Sequence, residues 1–323
     1  MRIGIVGCGL IGQKRAAAIG DDEIIIVCDT NLERARALAA RTGADAVDDW
    51  RKVVDSDIDA IVVATSHNGL APITLAAVEA HKHVLVEKPA ARSLPELLPV
   101  RDAARRRGVS VKAGYNHRFH PGLMAAKRIV AAGSLGPLYY IRGRYGHGGR
   151  KGYEQEWRCN RTISGGGELI DQGAHLIDLS RWFLGNLTLD YAATPTFFWS
   201  IDVEDNCFLA LRGQRGEMAW LHATWTEWKN TFSFEITGRD GKLTVEGLGG
   251  SYGDERLIFH KMLPQMGPPE TTVWEYPISD VSWASEFAEF KSNEAGKRAN
   301  IADIDDACAV LGLIETAYQR RAP

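Results

Sequence analysis

Asp171 and His175 stand four positions apart in "GGGELIDQGAHLIDLSRW" (165–182), a stretch whose apolar spacing predicts a helix. Residues four apart share a helical face. Asp171, His175, Asp178 and Trp182 form one stripe, and Leu169, Leu176, Ile177, Phe183 and Leu184 gather on the other side. One reading is an amphipathic helix with a solvated polar face. The other is a carboxylate and an imidazole aimed together into a cleft, where the imidazole can take a hydroxyl proton near neutral pH. Glycines 165–167 ahead of them would let the backbone come close to a ligand. The other residue with chemistry to offer is Lys88, in "VLVEKP" (84–89). It reads either as a surface lysine at a strand end or as a cation donating a hydrogen bond to an oxygen that gathers charge. A trans Pro89 would fix the local φ; a cis bond is not legible from the sequence.

A third group is "GIVGCGLIGQKR", which supplies Gly7-x-Gly9-x-x-Gly12 directly after a strand-like run and at the opening of a helical one. Gly7 allows the tight turn, Gly9 lets backbone approach a pyrophosphate, and Gly12 allows close packing of helix on strand. The amides at the helix start, from Leu10 and Ile11 onward, and the helix dipole suit an anion. Asp29 ends the second strand-like run, where a carboxylate can accept hydrogen bonds from an adenosine ribose. The alternative for Asp29 is a helix cap before Leu32. A carboxylate there would repel a 2′-phosphate, and Thr30 follows it where an arginine would offset that repulsion, so NAD is expected over NADP. Arg34, one helical turn on, weakens this argument without reversing it.

These groups need a scaffold. "RIGIVG", "EIIIVCD", "DAIVVAT", "HVLVEK" and "VSVKAG" are continuous apolar, β-branched runs, as in strands buried on both faces of a parallel sheet. Helical patterns separate them, so residues 1–120 read as a doubly wound α/β Rossmann-type domain. Residues 121–323 read as an α+β domain: a helix over 121–133, mostly strands from 187 to 276, and helices over 281–295 and 303–321. Turn signals at "RGQRGE" and "GRDGKL" argue for a large, mostly antiparallel sheet. In "MAWLHATWTEW", Leu221, Ala223 and Trp225 point one way and Trp220, His222 and Thr224 the other.

Lysine plus arginine (38) against aspartate plus glutamate (41) gives a net charge of −3, so no basic field draws nucleic acid. The five cysteines include no C-x-x-C pair, which argues against a disulfide framework or a zinc site. The scattered histidines likewise offer no metal spacing. No apolar run is long enough for a membrane span and no leader pattern opens the chain, so a cytoplasmic protein is expected.

A Rossmann-type strand ending in Glu87-Lys88-Pro89 resembles the Gfo/Idh/MocA family of sugar and cyclitol dehydrogenases. "GYNHRFHP" (114–121) and the D-x-G-x-H form within the opening stretch resemble that family's other signatures. The resemblance implies that Lys88, Asp171 and His175 meet at the nicotinamide, with His175 as base, Lys88 stabilising the reacting oxygen, and Asp171 binding a neighbouring hydroxyl or orienting the imidazole. It places Thr65, Glu87 and Asn116 at the cofactor. It also implies homodimers or homotetramers through the second domain's sheet. One departure stands out: where the family often shows T-P-N-x-x-H, this chain has "ATSHNGLAP", with Ser66, His67 and Leu70 at the changed positions. The Gly-rich loop 145–162 offers His147, Tyr153, Trp157 and Arg158 as substrate contacts, or is an ordinary surface loop. His117 and Arg118 face the cleft mouth or merely join the domains, and Trp220, Trp225 and Trp228 read as core and subunit-interface residues. The expected activity is NAD-dependent hydride transfer at a secondary alcohol of a sugar, sugar derivative or cyclitol. Two alternatives are a redox-neutral, NAD-dependent glycosidase and a non-enzymatic nucleotide or sugar sensor.

Overall fold

Runs such as Ile3–Val6 and Ala60–Val63 are buried at every residue, so they are stable only where both faces of a sheet are covered. The computed structural model, which describes residues 1–277, 279–292 and 300–320, places them at the centre of a seven-stranded sheet. Strands β1 (Arg2–Val6), β2 (Glu23–Cys28), β3 (Asp45–Val47), β4 (Ala60–Val63), β5 (His83–Glu87) and β6 (Val111–Gly114) are parallel. The two-residue strand Ala302–Asp303 adds antiparallel to β6. The order is 3-2-1-4-5-6, the doubly wound arrangement whose ligand crevice lies outside the carboxyl ends of β1 and β4. Helices Leu10–Ala18, Leu32–Thr42, Trp50–Val54, His67–Glu79 and Leu94–Arg107 connect the strands. β3 and Trp50–Val54 are additions to the elements expected from the sequence. Three residues with an exposed first position give no periodic signal.

The chain divides into two compact units. The first comprises Met1–Asn116, Thr162–Gly165 and Trp283–Leu311; the second comprises His117–Arg161, Gly166–Ser282 and Gly312–Pro323.

The second unit is built on an eight-stranded sheet: β7 (Leu138–Gly146), β8 (Leu187–Ala193), β9 (Asn206–Gly213), β10 (Met218–Thr224), β11 (Thr231–Gly238), β12 (Gly241–Glu246), β13 (Glu255–Lys261) and β14 (Glu270–Tyr276). Its order is β14-β13-β12-β11-β7-β10-β9-β8, antiparallel except where β10 runs parallel to β7. Alternation sets its faces: Phe232, Phe234 and Ile236 of β11 are buried, as are Leu221 and Ala223 of β10, whereas Trp220 is half-exposed. Helices Pro121–Ala131 and Ala174–Leu184 pack on strands of this unit. Trp225 is a core residue as expected, but Trp220 and Trp228 are 51% and 69% exposed, so neither belongs to the core. Ser282–Ser292 and Ile304–Gln319 are helical; the expected helical positions 293–295 and 321 lie outside the described residues. Among the described residues no helix is long and apolar enough to cross a membrane.

Candidate functional site

In the first unit the glycine turn is fixed by contacts that leave no room for a side chain. Gly7 has φ +100°, and a Cβ on it would stand 2.3 Å from the Ala64 carbonyl oxygen. A Cβ on Gly12 would meet the Gly7 carbonyl oxygen at 1.8 Å. Gly9, by contrast, faces open space: nothing lies within 4 Å of its would-be Cβ. It caps the helix Leu10–Ala18 without a side chain, so the first-turn amides of Leu10, Ile11 and Gly12 carry the positive end of the helix dipole outward. That cradle fits a pyrophosphate.

Asp29 does not cap the following helix; Asn31 does, accepting from the Glu33 amide. The Asp29 carboxylate instead accepts from the amides of Cys8 (2.8 Å) and Asn31 (2.9 Å), which fixes it beside the glycine turn. Burial, with Asp29 adding to it, pushes the Cys8 thiol up to about 12, so this cysteine is a packing group. Thr65 follows β4 and packs against Gly69, where a Cβ would lie 2.6 Å from the threonine hydroxyl. The departures in that loop serve the fold: the His67 ring bonds the Ser164 carbonyl at 2.8 Å, and Leu70 is core.

Glu87 ends β5 and Lys88 follows it, and the Lys88–Pro89 peptide is cis. Glu87 is held by Arg15, whose guanidinium is buried and also pairs with Glu286 under the Trp283 ring, 4.6 Å away. Burial alone lowers the Arg15 pKa, but Glu286 and Glu87 raise it above its usual value. Asn116, buried, opens the 3-10 turn that follows β6 and Tyr115.

In the second unit, Asp171 and His175 are buried at 8% and 5% exposure, with Asp178 at 1%. The solvated polar face considered above does not exist around Asp171, His175 and Asp178, because every residue from 171 to 180 is buried; Arg181 and Trp182, near the end of the helix, are half-buried. Nor is it α-helical throughout, because Leu169–Gly173 forms a π turn before Ala174–Leu184. Such turns locally re-aim side chains and recur at functional sites. The glycines ahead of it make room for protein rather than ligand. A Cβ on Gly166 would lie 1.9 Å from the Tyr318 hydroxyl, and one on Gly167 would lie 2.0 Å from the Glu204 carbonyl oxygen. The Glu204 side chain accepts from the Gly167 and Leu169 amides and from Tyr318, anchoring the start of the turn.

The loop 145–162 is engaged with this pair. Arg158 donates to Asp171 at 3.1 Å, also pairs with Glu156, and lies over the Trp157 ring at 4.6 Å. Burial lowers the Arg158 pKa, but Asp171, Tyr153 and Glu156 together raise it above its usual value, so the guanidinium stays charged. Tyr153 is buried among Trp199, Trp225 and His147. Arg118 is buried and makes two hydrogen bonds to Asp178, at 2.8 and 2.6 Å. His117 stacks on His175, with ring centroids 3.7 Å apart and planes 21° from parallel. Nothing in the "GYNHRFHP" motif signals this contact, because His117 and His175 are 58 positions apart.

Residues 1–115 match the model of the oxidoreductase family with an NAD-binding Rossmann fold, and residues 123–244 that of the GFO/IDH/MocA C-terminal domain. The chain belongs to the Gfo/Idh/MocA family. It is an NAD-dependent oxidoreductase of that family. Among its relatives are the levoglucosan dehydrogenase of Pseudarthrobacter phenanthrenivorans (25% identical over 283 residues, 75% of this chain and 73% of that enzyme) and inositol 2-dehydrogenase 2 of Saccharopolyspora erythraea (30% over 226 residues, 67% and 64%). The solved levoglucosan dehydrogenase in complex with NADH shares the fold, with a TM-score of 0.86 at 22% identity, covering 99% of this chain and 98% of that one.

Proposed function

We propose that this protein oxidises, or in reverse reduces, a carbinol carbon of a sugar, sugar derivative or cyclitol, with Lys88, Asp171 and His175 as its catalytic residues. The observation that carries this reading is buried Asp171, one helical turn before His175 and paired with half-buried Arg158, in a family whose relatives are named for cyclic polyols. NAD, when bound, supplies the hydride acceptor. Gly7, Gly9, Gly12 and the amides of Leu10 and Ile11 hold its pyrophosphate, Asp29 the ribose hydroxyls, and Thr65, Glu87, Lys88 and Asn116 line its nicotinamide end.

His175 takes the hydroxyl proton as the carbon gives up its hydride. Lys88 donates a hydrogen bond to the same oxygen and stabilises the charge it gathers. Asp171 accepts from a neighbouring substrate hydroxyl, its orientation set by Arg158, and Trp157 supplies an apolar wall over the ring. A carboxylate already matched by an arginine suits a neutral polyol. Relatives named as dehydrogenases favour net oxidation over the redox-neutral glycosidase.

A panel of free sugars, anhydrosugars, glycosides and cyclitols incubated with protein and NAD tests this reading. Absorbance at 340 nm should rise with at least one member, in equal amount with a ketone product. Glycoside cleavage without that rise would favour the redox-neutral alternative. The half-exposed aromatic residues Tyr140, Tyr191 and Trp220 on the outer face of the eight-stranded sheet support assembly into dimers or tetramers through it. Light scattering should show an oligomer for the wild type and a smaller species for Trp220→Glu. An unchanged mass would move the interface elsewhere.

A further inference from the structure

The His117–His175 stack has a consequence for when the base is able to work. Both rings are buried, and their centroids are 3.7 Å apart. Two imidazolium ions at that distance, shielded from water, repel strongly, so a proton on one ring opposes a proton on the other. We propose that His117 and His175 take up one proton between them, so that His117 is a positioning residue that keeps part of the His175 population neutral under acid conditions where a lone imidazole would be charged. This rests on the assignment of His175 as the base.

The surroundings decide whether His117 is able to hold its share. On its side, His120 lies 5.6 Å away by ring centroid, bonded to Glu255 at 3.1 Å and 3.9 Å from Asp280. Two carboxylates face one imidazole there, and the net negative charge favours a proton on His117. On the His175 side, Asp171 is matched by Arg158, and Glu168 is a further buried carboxylate on the approach to the π turn. Arg118 and Asp178 cancel each other. Tyr145, from β7, packs on both rings and bonds Tyr252; burial raises both phenols, Tyr252 to about 12, so they stay neutral. His147 is pushed down, chiefly by burial. Phe232, from β11, closes the edge of His117 without charge. Both imidazoles therefore sit in settings that permit a proton, while the stack allows only one.

The sign follows. A shared proton lowers the pH at which His175 becomes fully charged, so removing the second imidazole raises it. The pair is read by NMR titration of ring carbons in the full-length protein, with NAD present and no substrate. In the wild type, the His117 and His175 signals should each titrate in two steps, about one pH unit or more apart, as coupled groups do. In His117→Phe, which keeps an aromatic face, His175 should titrate in one step with its midpoint about one unit higher. The acid limb of kcat/KM should move up by the same amount; His117→Asn should behave likewise. Independent single-step curves in the wild type, or an unmoved His175 midpoint with a rate loss uniform across pH, would overturn the proposal. If no carbinol is oxidised at any pH while the two-step titration is present, the coupling stands and the reaction assignment fails.

Discussion

Arg158 meets Asp171 with one charge-assisted hydrogen bond, while its other contacts, to Glu156 and the Trp157 ring, hold it on the loop. A carboxylate whose orientation is fixed by a charge-assisted hydrogen bond is held in a defined direction, which reading the stereochemistry of a substrate requires. Arg158→Met keeps the stem and removes the charge. A hydrogen bond to a charged group contributes about 1.5–3 kcal/mol, so kcat/KM should fall roughly 10–100-fold. Steady-state kinetics check this, and NADH binding by fluorescence should be unchanged. An undiminished kcat/KM would remove Arg158 from the site. At this scale the sequence was partly legible. Glycine roles follow from local backbone rules, so Gly7 and Gly12 could be assigned from their spacing alone. The His117 stack could not, because nothing in the spacing of 117 and 175 brings the two rings together.

At the scale of elements, Arg15 ties the helix after β1 to the end of β5 and to the helix Ser282–Ser292. Its two partners are buried, Glu286 completely, so removing the cation leaves carboxylates in a medium that solvates them poorly. Arg15→Met should therefore destabilise the protein by about 3–5 kcal/mol. A thermal-unfolding midpoint lowered by roughly 5–10 °C is the expected readout. A midpoint within 1–2 °C (about the scatter of such scans) would mean the network is dispensable. The sequence showed the five long parallel strands because each is a contiguous apolar run that needs no partner to be recognised. It did not show the Arg15 network, whose members lie 72 and 271 positions apart. The π turn was hidden as well, since periodicity at 100° per residue describes only an α-helix. Glycines 165–167 resemble ligand space in the sequence because the residues that fill it, Arg92, Tyr318 and Glu204, are remote from them.

At the scale of the whole molecule, the doubly wound unit and the sheet unit carry different halves of the proposed chemistry. The first holds the dinucleotide cradle, Asp29 and Lys88; the second holds Asp171, His175 and the loop with Arg158. Return segments complicate the division, since Thr162–Gly165 and Trp283–Leu311 belong to the first unit although they follow the start of the second. No composition shift marks those crossings. Lys88 is the residue whose loss should separate cofactor binding from chemistry. The deciding measurement is a paired assay of Lys88→Met: NADH binding by fluorescence, and turnover at 340 nm with the best substrate of the panel. Binding should stay within about threefold of wild type while kcat falls about 10²–10³-fold. Turnover retained at the wild-type rate would contradict the account.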